Sequence, residues 1–233
     1  MRIAVFSDIH GNLEALTCVL KRVRKERADT LVCLGDIVGY GPFPNECIAL
    51  VHQRCEIVVR GNHDTAAVND VSQEKFNSDG RIAMEWTRSK LTPENRDYLR
   101  GLPIIHNSKD VTYVHASPMN PEHWTYVSTW RAVENAFPHF TTNICCVGHT
   151  HIPAIVSEKG MVNNYKKGER HLINCGSVGQ PRDGDPRASF ALIDTEHETA
   201  SIIRVEYSVE ATANAIRAAG LPEFLAKRLA HGI

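Results

Sequence analysis

The sequence predicts an α/β fold, a four-layer α/β/β/α sandwich of two mixed β-sheets flanked by helices, and three observations predict it. Up to about Leu102, apolar runs of strand length alternate with helical patterns, the signature of right-handed βαβ crossovers and a mainly parallel sheet. After Gly148 the pattern changes to short runs separated by turn residues, as in antiparallel hairpins. Two sheets packed face to face, with the helices outside, would bury both sets of strands.

The elements follow in order. Ile3–Phe6, Leu31–Leu34, Ile57–Val59, Val111–Val114 and Ile144–Val147 have the length and β-branched content of buried strands. Later runs fall at about 153–157, 161–165, 170–174, 189–194 and 199–206. Helical patterns cover about 12–27, 44–53, 74–90, 93–100 and 129–137, with Thr92-Pro93-Glu94 and Ser128 as starts. The first helix carries Leu13, Leu16, Leu20 and Val23 on one face. Its basic end, Lys21 to Arg27, therefore reads as a solvated face near a helix C-terminus. In the tail, Val209–Ala219 and Pro222–Ala230 form two short helices, split by Gly220, that should cover a sheet edge. No linker or repeat interrupts the chain. The expectation is one domain over residues 1–233, with a C-terminal helical pair at about 208–231.

Five polar clusters follow the first five strand runs: Asp8-Ile9-His10, Gly35-Asp36, Gly61-Asn62-His63-Asp64, His115 and Gly148-His149-Thr150-His151. If these strands lie parallel in one sheet, their carboxyl ends open onto a common crevice. Carboxylate, amide and imidazole groups then meet there without a thiolate, which suits a hard-to-borderline metal. Three Asp or Asn oxygens and four imidazoles exceed what one tetrahedral ion takes, so two ions are expected. Asp36 is the natural bridge, being second of the five clusters, with a glycine neighbour that lets the backbone come close. Two ions roughly 3.5–4 Å apart clamp the attacking and leaving oxygens of a displacement at phosphorus. In extended backbone, Asp8 and His10 point to one side, as do His149 and His151. Gly61 supplies permissive backbone for a sharp turn from strand to ligand. The other seven histidines, His52, His106, His123, His139, His171, His197 and His231, read as ordinary core or surface residues.

Composition narrows the classes. Formal net charge is −1 with His neutral, which leaves no electrostatic footprint for nucleic acid. No apolar stretch approaches membrane-spanning length, and Met1-Arg2-Ile3 leads into a strand rather than a signal peptide, so a cytoplasmic enzyme is expected. The seven cysteines are odd in number, include no Cys-x-x-Cys, and read as small core residues in a reducing compartment. Cys175, in a glycine loop near the clusters, is the one thiol with a candidate role. There is no Gly-x-Ser-x-Gly elbow, phosphate loop or His-Glu-x-x-His.

The ordered series Asp-x-His, Gly-Asp, Gly-Asn-His-Asp, His, Gly-His-x-His resembles the calcineurin-like metallophosphoesterases, small single-domain bacterial and archaeal type, from about Met1 to Gly184. The resemblance implies a first metal held by Asp8, His10, Asp36 and His151. It implies a second held by Asp36, Asn62, His115 and His149. The ions would be two divalent, or mixed-valence, transition metals; Mn, Fe and Zn all accept this set. His63 would contact the scissile phosphate and Asp64 would orient it, while a hydroxide held by the metals attacks phosphorus. The substrate would be a small-molecule phosphomonoester or phosphodiester, with nucleotides and dinucleoside polyphosphates among the candidates. A nuclease and a non-catalytic scaffold are the alternatives; the charge disfavours the first and the intact ligand set the second. Homo-oligomerisation is left open.

Two departures bear on substrate. Protein phosphatase and symmetrical tetraphosphatase branches continue the second motif as Gly-Asp-x-Val-Asp-Arg-Gly, whereas this chain reads Gly35-Asp36-Ile37-Val38-Gly39-Tyr40-Gly41 and lacks the arginine. Those branches also favour Glu where Asp64 stands. The loop Asn174 to Asp183 either offers backbone N–H groups to an anion, with Arg182 as a bidentate clamp, or braces the metal-binding loops as a tight turn.

Overall fold

The computed structural model describes residues 1–69, 76–162, 165–166 and 168–233. In chain order it contains β1 (Arg2–Phe6), α1 (Leu13–Lys25), β2 (Thr30–Cys33), α2 (Pro44–Arg54), β3 (Ile57–Val58), α3 (Asn62–Val68), α4 (Ser78–Lys90), α5 (Pro93–Gly101), β4 (Ile105–Asn107) and β5 (Val111–Val114). Then come α6 (Trp130–Ala136), β6 (Ile144–Val147), β7 (Ala154–Ser157), β8 (Gly160–Met161), β9 (His171–Asn174), β10 (Ala188–Asp194), β11 (Thr199–Val205), α7 (Val209–Ala218) and α8 (Glu223–Lys227).

The strands form two mixed sheets, ordered β11-β10-β1-β2-β3 and β4-β5-β6-β9-β7-β8. In the first, β1, β2 and β3 are parallel, and the β10–β11 hairpin joins antiparallel to β1. In the second, β5, β6 and β9 are parallel, while β4, β7 and β8 pair antiparallel. The five motif-bearing strands thus do not share one sheet. Three lie in the first and two in the second, so the crevice opens between the sheets.

Alternation along each strand explains the layers. Ile3 and Val5 of β1 face the second sheet and meet Val111, Tyr113, Ile144 and Cys146 in an inter-sheet core. Ala4 and Phe6 face the other way, against Leu16, Val19 and Val23 of α1 and Ile48 and Val51 of α2. The outer face of the second sheet, with Cys145, Val147 and Leu172, is covered by Val133 and Ala136 of α6 and by Phe137 and Phe140. Each such buried aliphatic contributes about 1.5–3 kcal/mol. A one-residue slip of β1 would exchange its two faces and carry Asp8 out of the crevice, so the core sets the register of the site.

Local signals explain the helix starts. The side-chain oxygens of Asn12, Thr92 and Ser208 accept from Ala15 N, Asn95 N and Ala211 N at 3.1, 3.2 and 3.2 Å. The helix expected from Ser128 is capped instead by Thr129, one residue later. Asn77 caps α4; residues 74 and 75 of that expected helix lie outside the described residues, as do 163 and 164 of the expected strand 161–165. The tail helices do not simply cover a sheet edge. Ile216, Leu221, Leu225 and Leu229 pack with Ala83 of α4, whose small side chain admits them. Helix α3 and strand β4 were not anticipated.

Candidate metal centre

Where the motif-bearing strands end, the chain enters left-handed backbone. Asp8, His10, Asp36, His149 and His151 have φ of 56°, 49°, 51°, 65° and 62°. This corrects the expectation of extended pairs. Asp8 and His10 share a side because two left-handed residues flank Ile9, which turns into the helix-side core. Such conformations cost of order 1–3 kcal/mol each and persist only where the surroundings over-determine them. Here Asp8 N donates to Gly35 O at 3.0 Å, His10 N to Asp36 O at 2.9 Å and Gly148 N to His115 O at 2.8 Å. The cluster loops are thereby fastened to one another within each sheet, and His149 N donating to Asp8 Oδ2 at 3.0 Å joins the two sheets.

The side chains converge in two overlapping groups. Asp8 Oδ1 lies 3.2 Å from His151 Nε2 and 3.8 Å from His10 Nε2, whose own separation from His151 Nε2 is 3.3 Å. His115 Nε2 lies 3.2 Å from His149 Nδ1, 3.1 Å from Asn62 Oδ1 and 3.3 Å from Asp36 Oδ2. Asp36 Oδ2 is also 3.8 Å from His10 Nε2, so one carboxylate oxygen faces both groups. All seven sequence-predicted ligand positions are therefore together. Asp8, His10, Asp36, His115, His149 and His151 are buried.

The outer nitrogens explain why these rings point as they do. His10, His115 and His151 each set Nδ1 against a backbone carbonyl, of Val38, Leu34 and Gln180, at 3.1, 2.9 and 2.6 Å. His149 reverses the arrangement, with Nε2 at 3.0 Å from Trp124 O. A carbonyl only accepts, so in each ring, when neutral, the outer nitrogen carries the proton and the inner one presents a lone pair. Lone pairs 3.2–3.3 Å apart cannot hydrogen-bond to each other. Asp8 Oδ1, buried beside them, has no hydrogen-bond partner. A donor set that repels itself in this way fits bound cations.

The electrostatics agree. Burial pushes the Asp8 carboxyl up, but the imidazoles of His151 and His115 override it and hold it well below the usual range. Burial likewise opposes ionisation of Asp36, and His115, His63 and His10 prevail, keeping it low. Burial holds His10, His149 and His151 below the usual imidazole value, to about 3 for His149. At His115 burial is outweighed by Asp36 and Asp8, which raise it to about 9. Ionised carboxylates and neutral imidazoles are the ligating forms. At His115 the carboxylate field favours a positive charge, which a divalent ion would supply in place of the proton.

His63 and Asp64 sit at the start of α3, and the Asp64 carboxylate is engaged by the backbone. It does not touch the His63 ring. Oδ2 accepts from Asp36 N at 2.8 Å and Gly61 N at 3.0 Å, and Oδ1 accepts from Ile37 N at 2.9 Å and Val38 N at 3.3 Å. Asp64 thus holds the loop that carries Asp36. Burial and the Asp36 charge raise its carboxyl to about 7, against the pull of the Gly61 and Val38 amides. His63 instead lies among rings, with centroids 4.5 Å from Tyr40 and 4.7 Å from Phe76 and from His10. Its Nδ1 is buried without a hydrogen-bond partner, and a Cβ on Gly39 would lie 2.4 Å from it. That leaves Nε2 as the nitrogen free to meet a ligand. Gly61 has ordinary φ, −95°. It is needed for close approach rather than permissive backbone, because a Cβ there would lie 2.1 Å from Asp36 Oδ1.

The glycine loop acts as a brace. Gly176 N, Val178 N, Gly179 N and Gln180 N donate to Asn174 Oδ1, Ser7 O, Asp8 O and Ser177 Oγ. Those amides are therefore not offered to an anion. Cys175 is buried, and burial pushes its thiol well above the usual value, so it packs. Arg182 follows the brace and lines a cavity of about 820 Å³ beside His63, Asn62 and His149. The cavity wall includes Tyr40, Phe76, Trp124 and Tyr126, with Arg60 and Arg228. Tyr126 stacks on His149 with centroids 4.0 Å apart.

The calcineurin-like phosphoesterase family model matches residues 1–153, which contain every cluster described above. The chain belongs to the calcineurin-like phosphoesterase family. A crystal structure of a metallophosphoesterase from Sphaerobacter thermophilus superimposes with a TM-score of 0.90 at 42% identity, covering 100% of this chain and 99% of that one. An uncharacterized protein of Methanocaldococcus jannaschii is 40% identical over 97% of this chain and 96% of its own length. A protein of Escherichia coli K12 named as a phosphodiesterase is 24% identical over 84% of this chain and 89% of its own length. Membership implies a divalent metal centre and phosphoester hydrolysis.

This phosphoesterase also carries site residues that sequence reasoning missed. Tyr40, Phe76, Trp124, Tyr126, Arg60 and Arg228 border the cavity without belonging to any cluster. Tyr40 had a signal, since it stands where related branches place the second-motif arginine. Arg228 had none: it lies 46 positions after Arg182, in a tail read only as structural.

Proposed function

We propose that this phosphoesterase hydrolyses small-molecule phosphate esters, phosphodiesters foremost, that carry a planar group, through a dinuclear centre. Asp8, His10, Asp36 and His151 would hold one ion, and Asp36, Asn62, His115 and His149 the other. The observation that carries this reading is the locking of four outer imidazole nitrogens by backbone carbonyls, which aims four lone pairs inward beside Asp8 and Asp36. When bound, the ions supply Lewis acidity and lower the pKa of water towards about 7. Mn, Fe and Zn all suit mixed imidazole and carboxylate ligation.

The chain's own residues do the rest. His63 is pushed down to about 4, by burial and by Arg182 against the pull of Asp36, so at neutral pH it is a neutral imidazole. With Nδ1 sealed against Gly39, its Nε2–H donates to a phosphoryl or leaving-group oxygen as charge develops there. Asp64 keeps Asp36 in place through four backbone amides. Arg182 offers a guanidinium to the phosphate, the role that an arginine after the second motif fills in related branches. Tyr126, stacked on His149 and half exposed, lines the cavity with Trp124 and would take a planar group on its open face. The volume of about 820 Å³ suits a substrate larger than a simple monoester.

The test is an activity panel of matched monoesters and diesters, with nucleoside and alkyl groups, run on protein reconstituted with Mn, Fe or Zn. Turnover of nucleoside diesters above the matched monoesters and alkyl diesters is expected. Faster turnover of monoesters, or no preference for the planar group, overturns the substrate reading. No turnover with any metal overturns the enzymatic one.

A further inference from the structure

Three guanidinium groups line the cavity, those of Arg60, Arg182 and Arg228, and Arg60 Nη1 is held by the backbone carbonyl of Arg100 at 3.0 Å. Arg22, Arg100, Arg170, Arg187, Arg204 and Arg217 each pair with an acidic side chain. Among the described residues Arg182 and Arg228 have no such ion pair. Arg182 Nη2 donates to the neutral Gln180 Oε1 at 2.8 Å, and its buried Nε has no partner. Arg228 directs Nε to the backbone carbonyl of Ile233 and rests over the Phe224 ring, 5.3 Å from its centroid. Among the described residues those contacts leave the Nη atoms without a hydrogen-bond partner.

The two charges feel each other. Arg228 is pushed down to about 10, by burial first and then by the charge of Arg182, while Tyr40 and Asp79 pull the other way. Arg182 N donates to His151 O at 3.3 Å, beside the ligand cluster, whereas Arg228 reaches the cavity from the tail. Like charges side by side in an open cavity raise the free energy of the empty protein, and a bound anion relieves it.

We propose that Arg182 and Arg228 form one anion clamp, in which the C-terminal tail supplies the outer guanidinium, and that the substrate carries a second anionic group beyond the ester that is cut. The substrate half of this inference rests on the phosphoesterase reading above. A phosphate or a carboxylate meets the chemistry, since each takes two parallel N–H bonds from a guanidinium. The clamp lies outside residues 1–153, so it distinguishes this chain's substrate rather than the family's shared reaction.

The experiment compares inorganic phosphate with pyrophosphate as probes of the full-length, metal-loaded protein by calorimetry. Both bind metal, so the ratio of their affinities isolates the outer subsite. In Arg228→Gln the advantage of pyrophosphate over phosphate should shrink about tenfold or more. Arg228→Lys, which keeps the charge and loses the fork, should fall between. An unchanged thermal midpoint checks that the tail still packs. In parallel, the kcat/KM ratio for a thymidine 5′-(4-nitrophenyl phosphate) with and without a 3′-phosphate should fall similarly in Arg228→Gln. An unchanged pyrophosphate advantage in both variants overturns the clamp. A lost advantage with an unchanged ester ratio overturns the substrate assignment. If wild type hydrolyses neither ester, the phosphoesterase reading fails, while the calorimetric ratio still decides the clamp.

Discussion

The ligand cluster and the cavity wall are neighbours built on opposite principles. In the cluster, backbone atoms restrain nearly every group: four imidazoles lean on carbonyls, Asp64 takes four amides, and Ser177 Oγ, Gly179 N and Asp8 N tie the loops together. In the wall, Tyr126 is 51% exposed and Arg182 pairs with no acidic side chain among the described residues. Metal chemistry tolerates little displacement of its ligands, so those are over-determined. Substrate contacts form only on binding, so the wall is left polarised and partly open. On the proposed reading, the restrained half carries the chemistry and the open half the selectivity.

The largest expected effect lies in the cluster. Asp36→Asn should reduce bound metal from about two ions per chain and lower kcat/KM by more than the ~10²–10⁴-fold typical of a proton-transfer residue. Elemental analysis after reconstitution with excess metal checks it, and undiminished metal content removes Asp36 from the bridge. His63→Ala should keep both ions yet lose about 10²–10⁴-fold in kcat. If the site instead empties, His63 is a ligand, and its place within 4.8 Å of His10 and Asp36 ligand atoms takes on that meaning.

Asp64→Asn tests the brace between them. An amide side chain replaces two acceptor oxygens with one, so metal affinity should weaken by about 10–100-fold. Stability should fall by about 1–3 kcal/mol, read from urea unfolding. A variant with wild-type metal affinity and a defect confined to His63-dependent kinetics would assign Asp64 the orienting role instead. The smallest effect belongs to the wall. Tyr126→Ala should lower selectivity for nucleoside over alkyl esters by about 5–50-fold, the scale of one lost stacking contact. Loss of metal in this variant would show that the His149–Tyr126 stack belongs to the restrained half after all.

Much of the cluster was legible because each ligand lies within a few residues of a strand end, where apolar periodicity and short polar motifs coincide. The strands themselves were legible for the same reason. What escaped was conformation and company. The pairs Asp8/His10 and His149/His151 reach one side through left-handed backbone, which no spacing rule specifies. Helix α3 was hidden because its seven residues begin inside the ligand motif and carry no helical period long enough to read.

By itself the sequence determined which groups could bind metal and that they would sit at strand ends. Composition and motif order carry that information locally. Only the tertiary structure decided that the ligands come from two sheets facing each other, that Asp64 serves Asp36, and that a tail arginine enters the cavity. Those outcomes depend on the packing of segments up to two hundred positions apart, as when Thr212 Oγ1 donates to Asn12 Oδ1 at 3.0 Å. No short-range pattern encodes such a meeting. It follows from burying Ile216, Leu225 and Leu229 against α4, which brings Arg228 to the rim of the site.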